Sequence, residues 1–337
     1  MCGILNVISK KEKDLDLASC RRALSCLTQR GPDSCTNNLW NKRVFLGQTT
    51  LSITGDIKNT DEHLISKSQR FQLLINGEIY NYRELKTKWL DNKLDISPYE
   101  STDSAILVNL HELIPVENVP LELDGMYAYS VLDKKENVLN ICRDVQGEKS
   151  LYIYEDDLHI IISSEISPIL LLRPELKPDP QVLRDYFHTR HFMFLDRTLY
   201  PKIRQLKPGV LESLNLDTMQ WSQRHQLQIS DWINPKSYNE NNKKSLDDLT
   251  DELDELLGTG IKQMIPERNF ASVVSGGVDS SIVSYYVKKY GNPNLLVAVN
   301  HKGKDRISHE LEGFEKVLNQ KIRRLDVDQF TYSREIM

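Results

Sequence analysis

Met1-Cys2-Gly3-Ile4-Leu5 opens the chain and decides how the rest is read. Once the initiator methionine is removed, Cys2 carries a thiol and a free α-amine on one residue. The unperturbed amine titrates near pH ~8, so part of it is neutral at physiological pH. It can take the thiol proton directly or through one water, which makes the residue a nucleophile with its own base. A second-position cysteine taken alone is usually incidental. The order of motifs behind it gives this one its meaning.

Gln29-Arg30-Gly31-Pro32-Asp33 reads as a loop, and Leu46-Gly47-Gln48-Thr49-Thr50-Leu51-Ser52-Ile53 as a strand running into a turn. Asn76-Gly77-Glu78-Ile79-Tyr80-Asn81, Ser101-Thr102-Asp103, Gly125-Met126-Tyr127-Ala128-Tyr129 and Arg143-Asp144-Val145-Gln146-Gly147 follow. An isolated Asn-Gly pair would favour a type I′ hairpin turn. The full string around Asn76 does not read that way. Far downstream stands Val273-Val274-Ser275-Gly276-Gly277-Val278-Asp279-Ser280-Ser281. In this order the first set resembles the class II, N-terminal-nucleophile glutamine amidotransferase domain. The last stretch resembles the pyrophosphate-binding loop of the ATP-pyrophosphatase enzymes. Together they are similar to the glutamine-hydrolysing asparagine synthetase family, through Thr198-Leu199-Tyr200 and Leu206-Lys207-Pro208-Gly209 to about residue 330.

The resemblance implies an αββα sandwich of the N-terminal-nucleophile hydrolase type, followed by a partial doubly wound parallel α/β domain. It implies that Cys2 attacks the side-chain amide of glutamine and that a γ-glutamyl thioester is hydrolysed after ammonia leaves. The Asn76 amide and the Gly77 N–H would hold the oxyanion, and losing one such donor typically costs ~100-fold or more. Asp103 would accept the α-ammonium of glutamine, with Glu78 and the Leu51 and Ile53 backbones completing the pocket. Arg30 and Asp33 read as loop organisers, and Arg143-Asp144 as a structural ion pair. The family usually has an arginine before its Leu-Ser-Ile, where it clamps the α-carboxylate. Here that position is Thr50, and a hydroxyl gives less than the ~1.5–3 kcal/mol of a charged contact. Weaker glutamine binding, or a cation from elsewhere, is expected. The histidine that usually precedes Arg30 is replaced by Gln29.

Composition narrows the class. A chain of 337 residues holds about two domains with real cores. The formal net charge is −5, which gives no footing for nucleic acid or an anionic membrane. No apolar run reaches the ~18 residues of a membrane helix. Five irregularly spaced cysteines make neither a disulfide framework nor a CxxC site, and a reducing cytoplasm fits them. Cys20 and Cys26, in a helical pattern, and Cys142, in a strand pattern, read as buried thiols. The eight histidines show no metal spacing.

Short strands dominate the first ~200 residues, with helices expected over about 14–28, 82–90, 103–113 and 179–187. The boundaries read as an amidotransferase domain over 2–210, a connecting strand and linker over 211–244, and a partial synthetase domain over 245–337. Ser245 caps a helix whose apolar stripe is Leu246, Leu249, Leu253, Leu256, Leu257, Ile261 and Met264. Strand, Ser-Gly-Gly loop and helix then alternate with further strands, which predicts a parallel sheet.

The loop is not a Walker motif, because it has no Gly-Lys-Ser/Thr. Its backbone N–H groups at a helix N-terminus form an anion site, to which Ser275, Gly276, Gly277 and Ser280 belong. Asp279 cannot bind phosphate directly, so it faces Mg²⁺. By resemblance Val274 and Val299 flank the adenine. ATP, Mg²⁺, glutamine and aspartate are the implied small molecules, with no tightly bound prosthetic group, and a homodimer is compatible with the family. The implied reaction forms an acyl-adenylate on aspartate, releases pyrophosphate and displaces AMP with ammonia delivered internally. By the same comparison the chain stops early, without the family's second acidic glycine loop or most of its aspartate-binding region. The expectation is a fragment or truncated product that turns over glutamine but binds ATP weakly by itself. An amidotransferase on another carboxylate, and a non-catalytic chain acting through partners, are the alternatives.

Overall fold

The structure, a computed structural model, describes residues 2–11, 15–53, 65–91, 93–94, 102–191, 196–266, 269–301 and 306–327. The chain divides into two units, Met1–Asn234 and Pro235–Met337.

Two antiparallel sheets build the first unit. One holds β1 (Gly3–Ser9), β2 (Ser34–Trp40), β3 (Val44–Thr50), β7 (Tyr152–Glu155), β8 (His159–Ser163) and β9 (Ile203–Gln205), in the order β2-β3-β1-β8-β7-β9. The other holds β4 (Phe71–Ile79), β5 (Gly125–Asp133), β6 (Val138–Arg143), β10 (Val210–Asn215) and β11 (Gln220–Gln226), in the order β11-β10-β6-β5-β4. All seven residues of β1 are buried, because both faces of the strand are covered. Alternation sorts them. Ile4 and Ile8 join Leu46, Leu74, Ala128, Leu132 and Ile141 between the sheets. Leu5 and Val7 turn outward to Ala23 and Leu24 of helix Leu17–Ser25. On the far side, helix Asp103–Leu110 lays Ile106, Leu107 and Leu110 on Leu73, Ile75 and Val131. Helix, sheet, sheet and helix therefore stack in the αββα order.

The same alternation places polar residues in the inter-sheet layer. Asn6 Nδ2 donates to Ser130 Oγ at 3.0 Å, and the Ile75 N–H donates to Gln48 Oε1 at 2.9 Å. Each bond ties one sheet to the other, and each buried amide without a partner would cost ~1–3 kcal/mol.

Three local readings change. The strand that residues 71–75 lead one to expect does not stop at Asn76-Gly77 but continues to Ile79, since these residues pair with Ala128 and Tyr127 of β5. The first unit runs past residue 210, because β10 pairs with β6 and β11 with β10. Cys26 is exposed, as it lies just beyond the end of its helix, while Cys20 and Cys142 are buried.

His111, just after helix Asp103–Leu110, packs its ring against Phe71 and Tyr129, with centroids 5.8 Å away in each case. Burial pushes its pKa down to about 3. The folded state therefore keeps the ring neutral, while the unfolded chain protonates it below about pH 6.5. The stability it allows is complete above that pH and is lost as the pH falls toward 3. The expected slope is up to ~1.4 kcal/mol per pH unit, or ~2 kcal/mol between pH 6.5 and 5. All four tryptophans lie before residue 235, so urea unfolding followed by their fluorescence reads the first unit alone. His111→Phe should flatten that slope, and an unchanged slope would show that other groups set it.

The second unit is a three-stranded parallel sheet of β12 (Ala271–Val273), β13 (Leu295–His301) and β14 (Ile322–Val327), in that order. Helices Val278–Tyr290 and Arg306–Leu318 make the two crossovers. Strands in sequential order with right-handed crossovers put both helices on one face, which is a single winding of a doubly wound fold. Val274, Leu296, Ala298, Leu311, Leu318 and Ile322 fill that side. The helix Leu246–Met264 begins with the expected capping box, Ser245 with Asp248. Its Leu246, Leu253, Leu256 and Met264 are exposed. No helix among the described residues is long and apolar enough to cross a membrane.

Candidate active site

Register gathers the site at one end of the inter-sheet layer. Gly3 pairs with Thr49, so Cys2 and Thr50 lie side by side just beyond β1 and at the end of β3. Ile4, Leu46 and Leu74 face inward, so by the two-residue period Cys2, Thr50, Asn76 and Glu78 face the same way. Cys2 is half-buried and its Sγ donates to the Leu51 carbonyl at 3.8 Å. Burial pushes the thiol pKa up, and Asp103 adds to this; the Leu51 contact, the N-terminal charge and Arg30 oppose them. The resting nucleophile is thus a thiol that needs a base.

Asn76 is completely buried. Its Nδ2 donates to the Cys2 carbonyl at 2.9 Å and its Oδ1 accepts from Arg30 Nη2 at 3.3 Å. A fixed amide donor therefore stands beside the nucleophile. Gly77 has φ +153°, and a Cβ there would lie 2.0 Å from the Met126 carbonyl oxygen. No other residue fits, and the bare backbone stays open to a ligand.

Asp103 sits in the first turn of its helix, which Thr102 caps by accepting from the Ala105 N–H. One carboxylate oxygen accepts from the Ile79 N–H at 3.1 Å, pinning the acid against the end of β4. Glu78 lies next to it: burial and Asp103 raise the Glu78 pKa, while Lys149 and the N-terminal charge lower it. Two acids therefore stand near Cys2, with the charge of Lys149 acting on Glu78. Thr50 accepts a long bond from Gln48 Nε2 at 3.5 Å. Ile53 is exposed, and Ser101 lies outside the described residues.

Arg30 does more than organise its loop. Its Nε donates to the Cys2 carbonyl at 3.0 Å and its Nη1 to Glu165 at 2.8 Å, so it holds the nucleophile's backbone. Asp33 accepts from the Ser52 N–H at 2.9 Å and shapes the turn after β3. Arg143 does not take Asp144 as its partner. It donates to the carbonyls of Lys149, Leu206 and Gly147 at 2.7, 2.6 and 2.5 Å. Asp144 instead accepts from the N–H groups of Glu148 and Lys149. Desolvation favours this outcome, because a buried guanidinium has several donors to satisfy and the nearby loop offers carbonyls. Sequence reading missed Gln48, Lys149 and Glu165. None lies in a motif run quoted for the site except Gln48, whose partner is 27 residues away.

In the second unit, Val274 is buried and its N–H donates to the Val297 carbonyl at 2.8 Å. The chain then turns at Gly276, with φ +82°, into helix Val278–Tyr290. Ser275 Oγ and Ser280 Oγ are 2.8 Å apart, and Ser280 Oγ also accepts from the Ser275 N–H at 3.1 Å. Gly277 precedes the helix as its cap and Asp279 is exposed in its first turn. Val299 lies two residues beyond Val297, which pairs with Val273, so it shares the C-terminal edge of the sheet with the loop. Ligands bind at that edge in open α/β sheets.

The chain is similar to several known proteins. The chain is 26% identical to a probable glutamine-hydrolysing asparagine synthetase of Acanthamoeba polyphaga mimivirus, over 97% of this chain and 57% of that protein. It is 24% identical to glutamine-hydrolysing asparagine synthetase 1 of Bacillus subtilis strain 168, over 94% and 47%. The chain spans about half the length of these curated relatives. Among solved structures, the allosteric regulatory enzyme of purine biosynthesis superposes with a TM-score of 0.50 at 14% identity, over 96% of this chain and 80% of that one, a likeness of fold. Residues 1–226 match the glutamine amidotransferase domain, the same stretch that builds both antiparallel sheets and the surroundings of Cys2, and the chain belongs to that family.

Proposed function

We propose that the chain acts in glutamine-dependent asparagine synthesis, hydrolysing glutamine at Cys2 to supply ammonia for an ATP-activated aspartate. The observation that carries the reading is the meeting of Cys2, Asn76, Gly77, Glu78 and Asp103 at one end of the inter-sheet layer. After removal of Met1 the α-amine takes the thiol proton, and the thiolate attacks the glutamine amide carbon. Asn76 and Gly77 face the developing oxyanion, and Asp103 and Glu78 hold the α-ammonium. Collapse of the intermediate releases ammonia and leaves a thioester, which water converts to glutamate and free thiol.

The loop over 275–281 would cradle the phosphates of ATP, with Val274 and Val299 beside the base. A single exposed carboxylate suits Mg²⁺ that is carried mainly by phosphate and water, so Asp279 would hold it and the ion would neutralise phosphate charge. Five unpaired cysteines fit a cytoplasmic setting, and a homodimer is compatible with the fold.

Three assays on the protein test the reading. Glutamate release from glutamine should proceed without ATP. Mg-ATP binding by isothermal titration should weaken in Ser280→Ala. Any pyrophosphate release should require aspartate and be matched by asparagine. Pyrophosphate released with a different carboxylate, and none with aspartate, would move the acceptor to another acid.

A further inference from the structure

β4 is the outer strand of its sheet, so alternate N–H groups along it point away from β5 and need partners from elsewhere. Side chains supply them. The Phe71 N–H donates to Ser66 Oγ at 3.0 Å, the Ile75 N–H to Gln48 Oε1 at 2.9 Å and the Ile79 N–H to Asp103 at 3.1 Å. Gly77 falls between the last two with the same parity. Tyr127, which stands opposite it, gives its carbonyl to the Asp144 N–H on its far side at 2.8 Å. The Gly77 N–H therefore faces the free edge as well, and among the described residues no acceptor meets it.

Gln48 is the member of this series that reaches across from the other sheet. It is buried on β3 opposite Ile4, which lies two residues after the nucleophile. Its amide has a defined direction, with Nε2 3.5 Å from Thr50 Oγ1 and Oε1 on the Ile75 N–H. One bond thus joins the sheet that carries Cys2 to the strand just before Asn76-Gly77. The two oxyanion donors differ in how they are held. The Asn76 side chain bonds the Cys2 carbonyl and Arg30, whereas the direction of the Gly77 N–H is set by the strand on either side of it. Gln48 grips that strand two residues before Gly77, and Asp103 grips it two residues after.

Resting on the glutaminase reading, we propose that Gln48 is a positioning residue for the oxyanion. Its hold on Ile75 keeps the Gly77 N–H aimed at the place where the glutamine carbonyl oxygen takes up negative charge. Gln48→Met removes the acceptor at nearly the same length. The kcat for glutamate release should fall by about tenfold to a hundredfold, since the donor is displaced but not deleted. The KM for glutamine should stay within about threefold, because the lost bond acts on charge that develops only in the transition state. Alkylation of Cys2 by iodoacetamide, a displacement that forms no oxyanion, should keep its wild-type rate within about threefold. Gln48→Glu, which keeps an acceptor at the same reach, should recover most of the lost kcat. If Gln48→Met does not fold, Gln48→Leu set against Gln48→Glu makes the same comparison. Turnover and alkylation falling together would show that Gln48 only supports packing between the sheets, against the proposal. An unchanged kcat, a loss confined to KM, or a Gln48→Glu as slow as the apolar variant would overturn the assignment outright. Wild-type protein inert toward glutamine would instead sink the glutaminase reading, a result visible before any variant is made.

Discussion

Cys2→Ala will abolish glutamate release, by about 10⁴-fold or more, the scale on which removing a covalent nucleophile acts. It will also abolish labelling by a glutamine-like electrophile such as diazo-oxo-norleucine. The other thiols lack the setting. Burial pushes Cys20 up to about 11 and Cys142 up to about 12, so neither supplies thiolate near neutral pH. Burial raises Cys35 as well. Cys26 is exposed beyond the end of its helix, facing Arg22 through a 3.8 Å contact to a carbonyl. Only Cys2 has Asn76 Nδ2 against its backbone and Asp103 and Arg30 acting on its thiol. Because Cys2 is half-buried and its contacts to Arg30 and Asn76 run through its backbone, Cys2→Ala should keep the wild-type unfolding midpoint. Peptide mapping of the labelled protein decides the matter: label on Cys20, Cys26, Cys35 or Cys142 would place the nucleophile elsewhere.

Gly77→Ala should remove both activity and stability. The new methyl would sit 2.0 Å from the Met126 carbonyl oxygen and 2.6 Å from Tyr127 Cα, both backbone atoms of the paired strand. Neither can move without breaking the β4–β5 ladder, which carries the site. The backbone itself resists, since φ +153° is a conformation that only glycine adopts at low cost. We expect about 2–4 kcal/mol of destabilisation, from overpacking and backbone strain together. Glutamate release should fall by about 100-fold or more as the oxyanion donor is displaced. Urea unfolding read by tryptophan fluorescence, which reports the first unit, measures the first effect. A variant as stable as wild type would mean that β4 does not pass this residue in the conformation seen.

Local chemistry made much of the site legible. Thr102-Asp103 announces a capped helix with an acid in its first turn, and that helix forms with Asp103 aimed back at β4. Ser245 with Asp248 announces a capping box, and it is there. A strand, a Ser-Gly-Gly turn and a helix announce a parallel α/β unit, and β12, β13 and β14 pair in parallel. The misreadings share a cause. The strand over residues 71–75 reads as ending at Asn76-Gly77, but pairing with Ala128 and Tyr127 carries it on. Arg143-Asp144 has the local look of an ion pair, yet carbonyls from Gly147, Lys149 and Leu206 claim the guanidinium. Residues 211–226 read as a link between domains, and only the pairing of β10 with β6 and of β11 with β10 shows them to be part of the first.

The sequence by itself offered Cys2 as a nucleophile and, through the family resemblance, Asn76 and Gly77 as oxyanion donors, Asp103 as the acid and the loop at the edge of the parallel sheet. Each lies in a short run of residues, legible before the chain is folded. Tertiary structure alone decided which charges share the pocket. Arg30 and Glu165 meet across 135 residues, and Glu78 feels Lys149 from a different strand connection. The side-chain period of a strand is fixed by its backbone, but its partner and register are set by packing the inter-sheet core as a whole. That nonlocal choice brings Arg30 to the Cys2 carbonyl and Asp103 to the end of β4.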